Sequence, residues 1–564
     1  MGGIGIGLSP AIQQGSVLSL PAWTNLPLFA LPSVVYLTVG KAYTIYGDSL
    51  INVPISNNLA VDYTCNIGAQ SGTKDFAVTP ITGNIGTHTL TAVFKQGGKV
   101  FTTQTINIKV VADSTGVAST VLMVGDSLVY LGSTDIGGAI STALITDPTF
   151  IGTQGTTIKN EGASGKAYET MLTSGSPFYI SGAFNISAYF ANNSLATPDF
   201  VHIRFGVNDM FLPGTYNMSD AYMKDHVIDK AKTLIDAFLA YDANLKIIIG
   251  LPTICENSGA GWNANYDEVT YPQDHYIENI HRMQGALVTA FDNNAYSPRV
   301  FMSNEVIFVD RNDDYPKTAE VHTNGVHPAP SGDQHIGLGI AATLNYQNSL
   351  IPTGLTLSLI SGGVKIDWND NSGGAFETEL WGKSDSGTYA LLYTIAAGTI
   401  TKNDLLDAVD LRYYKIRGKN GTYFTQFTAE QSIAMLGSNV VVNGDFASWS
   451  GDNPTSWTIT ESSPNLVTES TGKCRIVSDG TAVQMVTSGI LENGSKYRFK
   501  INIVTVTAGS IRVKYSSLKN VVQSTTGQKV WYDTTDGTQI IISRYSGATD
   551  VIFDDVVAQK VLMP

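Results

Sequence analysis

The chain has 564 residues, too many for one hydrophobic core, and about 150 residues per domain gives three or four. Its net charge of −14, with no basic stripe to offset it, excludes a nucleic-acid backbone as partner, and no apolar run is long enough for a membrane-spanning helix. Charged residues make up 15% of the chain against a usual level of about 25%, with Gly, Ser, Thr and Asn in their place, a mixture that suits extended β-rich modules.

Residues 1–33 are glycine-rich and then apolar, without periodicity of useful length. They read either as a flexible leader or as an anchor that orders on docking into an assembly, since Trp23, Leu28 and Phe29 are costly to leave in water. The first basic residue is Lys41, so the leader lacks the charged start of a secretory signal. Residues 34–113 alternate in period two (Val35-Tyr-Leu-Thr-Val, Thr89-Leu-Thr-Ala-Val-Phe) between Gly, Asn and Asp breaks. They predict a small Ig-like β-sandwich with no catalytic constellation, a spacer in function.

Residues 117–350 change character. Strands at 121–124, 200–205, 246–250 and 299–302 alternate with helical stretches, which predicts a parallel sheet covered on both faces. The clearest helix follows Ser219-Asp220, with Met223, Val227, Ala231, Leu234 and Phe238 on one face. Within this region Val121-Leu-Met-Val runs into Gly125-Asp-Ser127, the form of a buried strand ending in a turn that lifts a serine out of the sheet. A serine hydroxyl needs a base and an oxyanion hole before it is a useful nucleophile. Downstream lie a glycine-rich turn (Asn160-Glu-Gly-Ala-Ser-Gly165), an amide at a strand end (Phe205-Gly-Val-Asn208) and a histidine before proline (Asn324-Gly-Val-His327-Pro).

Four such pieces in this order resemble the SGNH, or GDSL, hydrolases, esterases whose sequence blocks centre on Ser, Gly, Asn and His. The resemblance covers 117–350 and implies a three-layer, flavodoxin-like α/β fold. It also implies Ser127 as nucleophile, His327 as general base, and Gly165 N–H and the Asn208 amide as oxyanion donors beside the Ser127 N–H. The family usually places Asp three residues before the histidine; this chain has Asn324. In serine proteases the exchange of the triad Asp for Asn costs about 10⁴ in kcat. Asn324 therefore leaves open a Ser–His dyad backed by a carbonyl or another acid, a slow enzyme, or a binding domain on a retired scaffold.

A long polar loop, 253–274, carries Trp262, Tyr266 and Tyr271, which either wall a substrate cleft with flat faces for a sugar or pack down as satellite core. Residues 351–437 return to period two and resemble a fibronectin type III module, with Trp368 and the Tyr413-Tyr414 pair as core aromatics. Residues 438–564, from Asn443-Gly-Asp-Phe446 to Val551-Ile-Phe-Asp-Asp-Val556, resemble the jelly-roll carbohydrate-binding modules found beside carbohydrate enzymes. The three cysteines fall in different modules and imply neither a disulfide framework nor a metal site.

The fold class expected is therefore multidomain, one α/β hydrolase domain among all-β sandwiches. The function expected is a serine esterase that deacylates, by preference deacetylates, a polysaccharide, with no cofactor. Lack of a signal, a leader suited to docking and β modules in series point to a phage tail fibre or spike, in contact with other tail proteins, for which a homotrimer is the common form. Its rivals are a glycan-binding adhesin without turnover and a secreted bacterial carbohydrate esterase.

Overall fold

The computed structural model describes residues 32–50, 59–96, 98–113, 118–211, 218–257, 259–266, 270–292, 296–316, 325–384, 387–405, 411–421 and 423–562. Residues 1–31 of the expected leader lie outside these, as does Asn324. The chain divides into two compact units, one of residues 1–350 with 420–426, the other of 351–419 with 427–564. Among the described residues no helix is long and apolar enough to cross a membrane.

The first unit is built on a parallel sheet of β1 (Thr120–Gly125), β2 (Thr149–Ile151), β3 (Glu161–Gly162), β4 (Phe200–Arg204), β5 (Lys246–Gly250) and β6 (Val300–Ser303). The order is β3-β1-β4-β5-β6, with β2 also pairing β1. All five residues of β4 and of β5 are buried, so β5 reads as a near-continuous apolar run, while β4 buries His202 and Arg204 against Glu305. Period two still decides which helix each residue meets. Val121, Met123, Phe200 and Ile248 pack under α1 (Ser127–Ala143) and α4 (Pro330–Ser349). Leu122, Val124, Val201, Ile203, Ile247 and Ile249 face α2 (Asp229–Tyr241) and α3 (Gln273–Phe291). The chain leaves β1 in both directions across the sheet, so the carboxyl ends of β1 and β4 flank the switch point where such folds open a crevice.

Residues 34–111 form two small sheets, as the alternation predicts. Their use as a spacer is a misreading. Val35, Leu37, Tyr43 and Ile45 share one continuous apolar core with the α/β layers. Tyr36 stacks on Tyr346 of α4 at 4.3 Å, and Tyr43 packs on Phe308 at 5.2 Å. Polar groups close the join: Asn345 donates to Thr38 Oγ1 (3.1 Å) and to Ala112 O (3.0 Å), Arg311 to Asp48 O (3.2 Å) and Ser49 to Val309 O (2.6 Å). Period-two strands reveal a sandwich but not which of its faces is covered by another layer.

In the second unit, residues 353–419 and 427–434 form two packed antiparallel sheets around Val364, Ile366, Trp368, Leu380, Tyr414 and Ile416. Tyr414 is core, but Tyr413 is not, because adjacent strand residues point to opposite faces; Lys383 Nζ sits 4.7 Å over its ring instead. Residues 436–561 form a second two-sheet sandwich around Phe446, Trp457, Phe499 and Phe553. Two tryptophans of this sandwich are tied into its structure. The Trp449 indole donates to Phe446 O at 2.7 Å, and Trp531 stacks on Phe499 at 5.6 Å.

Candidate active site

β1 ends at Gly125, and Asp126, in an extended conformation, caps the helix that follows. Its carboxylate accepts from Leu128 N–H at 2.9 Å, which leaves Ser127 as the first residue of α1, at the positive end of the helix. Two hundred positions along the chain, His327 stands on the bend before α4, and its Nε2 lies 2.9 Å from Ser127 Oγ. Ser127 is 8% exposed and His327 half-buried.

The loop that carries His327 is held from both ends. Ala329 N–H donates to Asp314 O at 2.8 Å, while the Asp314 carboxylate, 4% exposed in its side chain, accepts from Asp310 N–H and binds His335 Nδ1 at 2.6 Å. His335 thus serves to anchor α4. On the other side Gly325 has φ +73° and lies so close to Trp262 that a Cβ would come within 2.7 Å of its backbone nitrogen. Gly325 O accepts from Glu256 N–H at 2.8 Å, and the Glu256 carboxylate accepts from Gly261 and Trp262 N–H at 3.0 and 3.2 Å.

This geometry corrects the expectation for Trp262. Its side chain is fully buried, stacked on Phe211 (5.6 Å, 5° between planes), with its Nε1–H donated to Tyr271 O at 2.9 Å. Tyr266 and Tyr271 close the same cluster and are half-buried in it. The 253–274 segment also contains a short helix, Ala260–Asn265. Trp262 therefore offers no flat wall to a sugar; it supports the backbone two residues before the histidine.

The expected oxyanion donors converge on the same corner. Ala163 N–H donates to Gly125 O at 2.9 Å, which fastens the glycine-rich turn to the end of β1. Lys166 N–H closes that turn onto Ala163 O, and Gly165 within it has φ +75°, a conformation other residues rarely adopt. Asn208, half-buried just after β4, donates one amide hydrogen to Lys166 O at 3.0 Å, leaving the second for another acceptor.

Two carboxyl groups that the sequence reading passed over clamp these pieces together. Asp126 caps the helix of Ser127 and also faces Val207 N–H, on the Asn208 loop. Asp209 accepts from Tyr168 N–H at 3.2 Å, which ties that loop to the segment after Gly165. Burial pushes Asp126 up to about 6, against the pull of its N–H donors and Arg204, and pushes Asp209 up to about 8. The one sign in the sequence was adjacency: each stands next to a candidate catalytic residue.

Of the carboxylates near His327 in sequence, Asp333 is buried against Gly132 of α1, and Glu320 lies outside the described residues with Asn324. His202 is a buried partner of Glu305 at 3.2 Å, inside the sheet. Among the described residues no group of three or more His, Cys, Asp or Glu is placed to hold a metal ion.

No protein-family model and no curated protein matches the sequence. Solved structures with partial likeness include the enzymatically active domain of tailspike protein 4 of bacteriophage CBA120, at 14% identity and TM-score 0.18 over 22% of this chain and 21% of that one. The chain thus spans about a fifth of that tailspike domain. An acetylxylan esterase from Geobacillus stearothermophilus matches at 15% identity and TM-score 0.23, over 41% of this chain and 95% of the esterase. An extracellular lipase from Streptomyces rimosus matches at 13% identity and TM-score 0.24, over 40% and 99%. At such values the case for chemistry rests on the site itself.

Proposed function

We propose that this chain is a serine esterase of the SGNH type that removes an O-acyl group, acetyl by preference, from a polysaccharide. The observation that carries the reading is the 2.9 Å approach of His327 Nε2 to Ser127 Oγ at the start of α1, beside the Gly165 turn and the Asn208 amide. His327 takes the Ser127 proton as Oγ attacks the ester carbonyl carbon. The oxyanion that forms is received by the N–H groups of Ser127 and Gly165 and by the free amide hydrogen of Asn208. Collapse breaks the bond to the sugar oxygen, which leaves with the proton from His327, and water activated by the same imidazole then releases the carboxylic acid.

The polysaccharide assignment is supported by the two β-sandwich modules of the second unit, of the kind that accompany carbohydrate enzymes, and is an analogy at the level of modules. The same reading puts the protein on a virion or outside the cell, with residues 1–33 as attachment to other tail proteins. Hydrolysis of 4-nitrophenyl acetate by the wild type and by Ser127→Ala tests the chemistry, with active-site labelling by a fluorophosphonate to identify the nucleophile. Loss of turnover and of label in Ser127→Ala is the expected result; wild-type turnover in that variant refutes it. Detection of the chain in purified phage particles tests the setting.

A further inference from the structure

Trp262 is buried, but a second group of aromatic side chains, after Ser219, is linked to the segment between the Gly165 turn and the Asn208 loop. The helix that follows Ser219 is not regular. Met223–Ile228 is one π-helical turn, with Asp229 N–H bonded to Lys224 O, between Asp220–Tyr222 and α2. Met223, Val227 and Ile228 anchor its underside in the core. Such turns are rare and frequently lie at functional sites. Here the turn brings Tyr222 and His226 face to face, 4.5 Å between ring centres and 19° between planes.

The His226 side chain is 42% exposed, and its Nδ1 binds a Glu169 carboxylate oxygen at 2.7 Å. Glu169 belongs to the short helix Tyr168–Met171, which begins just after the Gly165 turn and whose first N–H is held by Asp209. Tyr222 is near enough to Asp209 and Glu169 for their charges to act on its phenol. The pair is therefore tied, through Glu169 and its neighbour Tyr168, to Asp209, which follows Asn208 in the chain.

We infer that Tyr222, His226 and Glu169 form a subsite that binds an uncharged pyranose of the glycan next to the acylated sugar. A pyranose has an apolar C–H face, which suits the outward face of a stacked ring pair, and a rim of hydroxyls, which suits a half-exposed carboxylate acceptor. Glu169, held below its usual range by the His226 hydrogen bond and, at 3.9 Å, by Lys230 Nζ, is anionic, and against the chain's net charge of −14 this single cation leaves the position unfavourable to uronic acids. The inference rests on the esterase reading for the place of the scissile bond.

The test uses the full chain with chemically acetylated xylan, chemically acetylated polygalacturonate and 4-nitrophenyl acetate, on Tyr222→Ala, His226→Gln and Glu169→Gln. The readout is kcat/KM on acetylated xylan divided by that on 4-nitrophenyl acetate. Tyr222→Ala should lower this ratio about tenfold through KM. His226→Gln should lower it less, and Glu169→Gln should shift preference toward polygalacturonate. A ratio within twofold of wild type in both Tyr222→Ala and His226→Gln, with melting temperature preserved, overturns the subsite while leaving the esterase intact. If the wild type cleaves neither ester, affinity electrophoresis on unacetylated xylan decides. Weaker retention of Ser127→Ala/Tyr222→Ala than of Ser127→Ala upholds the subsite although the esterase reading has fallen; equal retention, or none, overturns it.

Discussion

Replacing Asn208 by Ala removes two hydrogens with different tasks. One is donated to Lys166 O at 3.0 Å; the other is the donor that the proposed mechanism assigns to the oxyanion. Loss of the first costs about 1 kcal/mol of stability, and less where water reaches this half-buried site. For a unit of this size that is a fall of about 2 °C or less in Tm. Loss of the second should cost far more where it counts, because an oxyanion donor acts on charge present only in the transition state. Removal of one such donor typically lowers kcat by about 10²–10³, or about 2.7–4 kcal/mol. The variant should therefore melt near wild type, keep its KM for 4-nitrophenyl acetate, and lose kcat by that factor. Stopped-flow burst measurements would place the loss in acylation, deacylation or both, since each passes through an oxyanion. A folded Asn208→Ala protein with kcat within threefold of wild type would refute the assignment of this amide, and with it the reading of the β4 end as half of the oxyanion hole.

Other outcomes follow from the same geometry. Asp209 titrates near 3.8 when unfolded and about 8 when buried, so between those values the folded chain holds a proton that the unfolded chain has lost. Its contribution to stability is complete at low pH and falls by up to about 1.4 kcal/mol per pH unit as pH rises toward 8. Asp209→Asn should flatten that slope in denaturant titrations at pH 5 to 8, and an unchanged slope would show that Asp209 is ionised in the folded state. Trp262→Ala should cost about 3–5 kcal/mol of stability and depress turnover of small ester and glycan alike, as loss of a support for His327; a glycan-selective effect would restore the cleft-wall reading. A chain beginning at residue 118 uncovers Phe308 and Tyr346 and removes the bonds that Asn345 and Arg311 make to Thr38, Ala112 and Asp48. It should aggregate on expression, and a soluble monomer melting like the first unit of the intact protein would return residues 34–113 to the status of a spacer.

Much of the catalytic corner was legible in the chain because strand ends announce themselves. Apolar runs that stop at Gly125-Asp-Ser127 and Phe205-Gly-Val-Asn208 can only deliver those side chains to the carboxyl edge of a buried parallel sheet. The helix of Met223, Val227, Ala231, Leu234 and Phe238 was equally plain, and all five residues are buried. Its π turn was not, since one residue of slippage leaves the apolar period almost intact while re-aiming Tyr222 and His226. Trp262 went astray for a related reason: an aromatic in a long polar loop looks the same in sequence whether it faces solvent or a buried glycine such as Gly325.

What the amino-acid order determined alone was therefore local: which segments are strands, where each one stops, and which reactive side chains stand at the stops. These depend on side-chain period and turn chemistry within a few residues. Tertiary structure decided what meets what across long stretches of chain. It brought His327 to Ser127, made Asp126 and Asp209 the clamps of the oxyanion corner, and fused the first β-sandwich to the sheet behind it. Those contacts depend on the packing of faces that no single segment encodes.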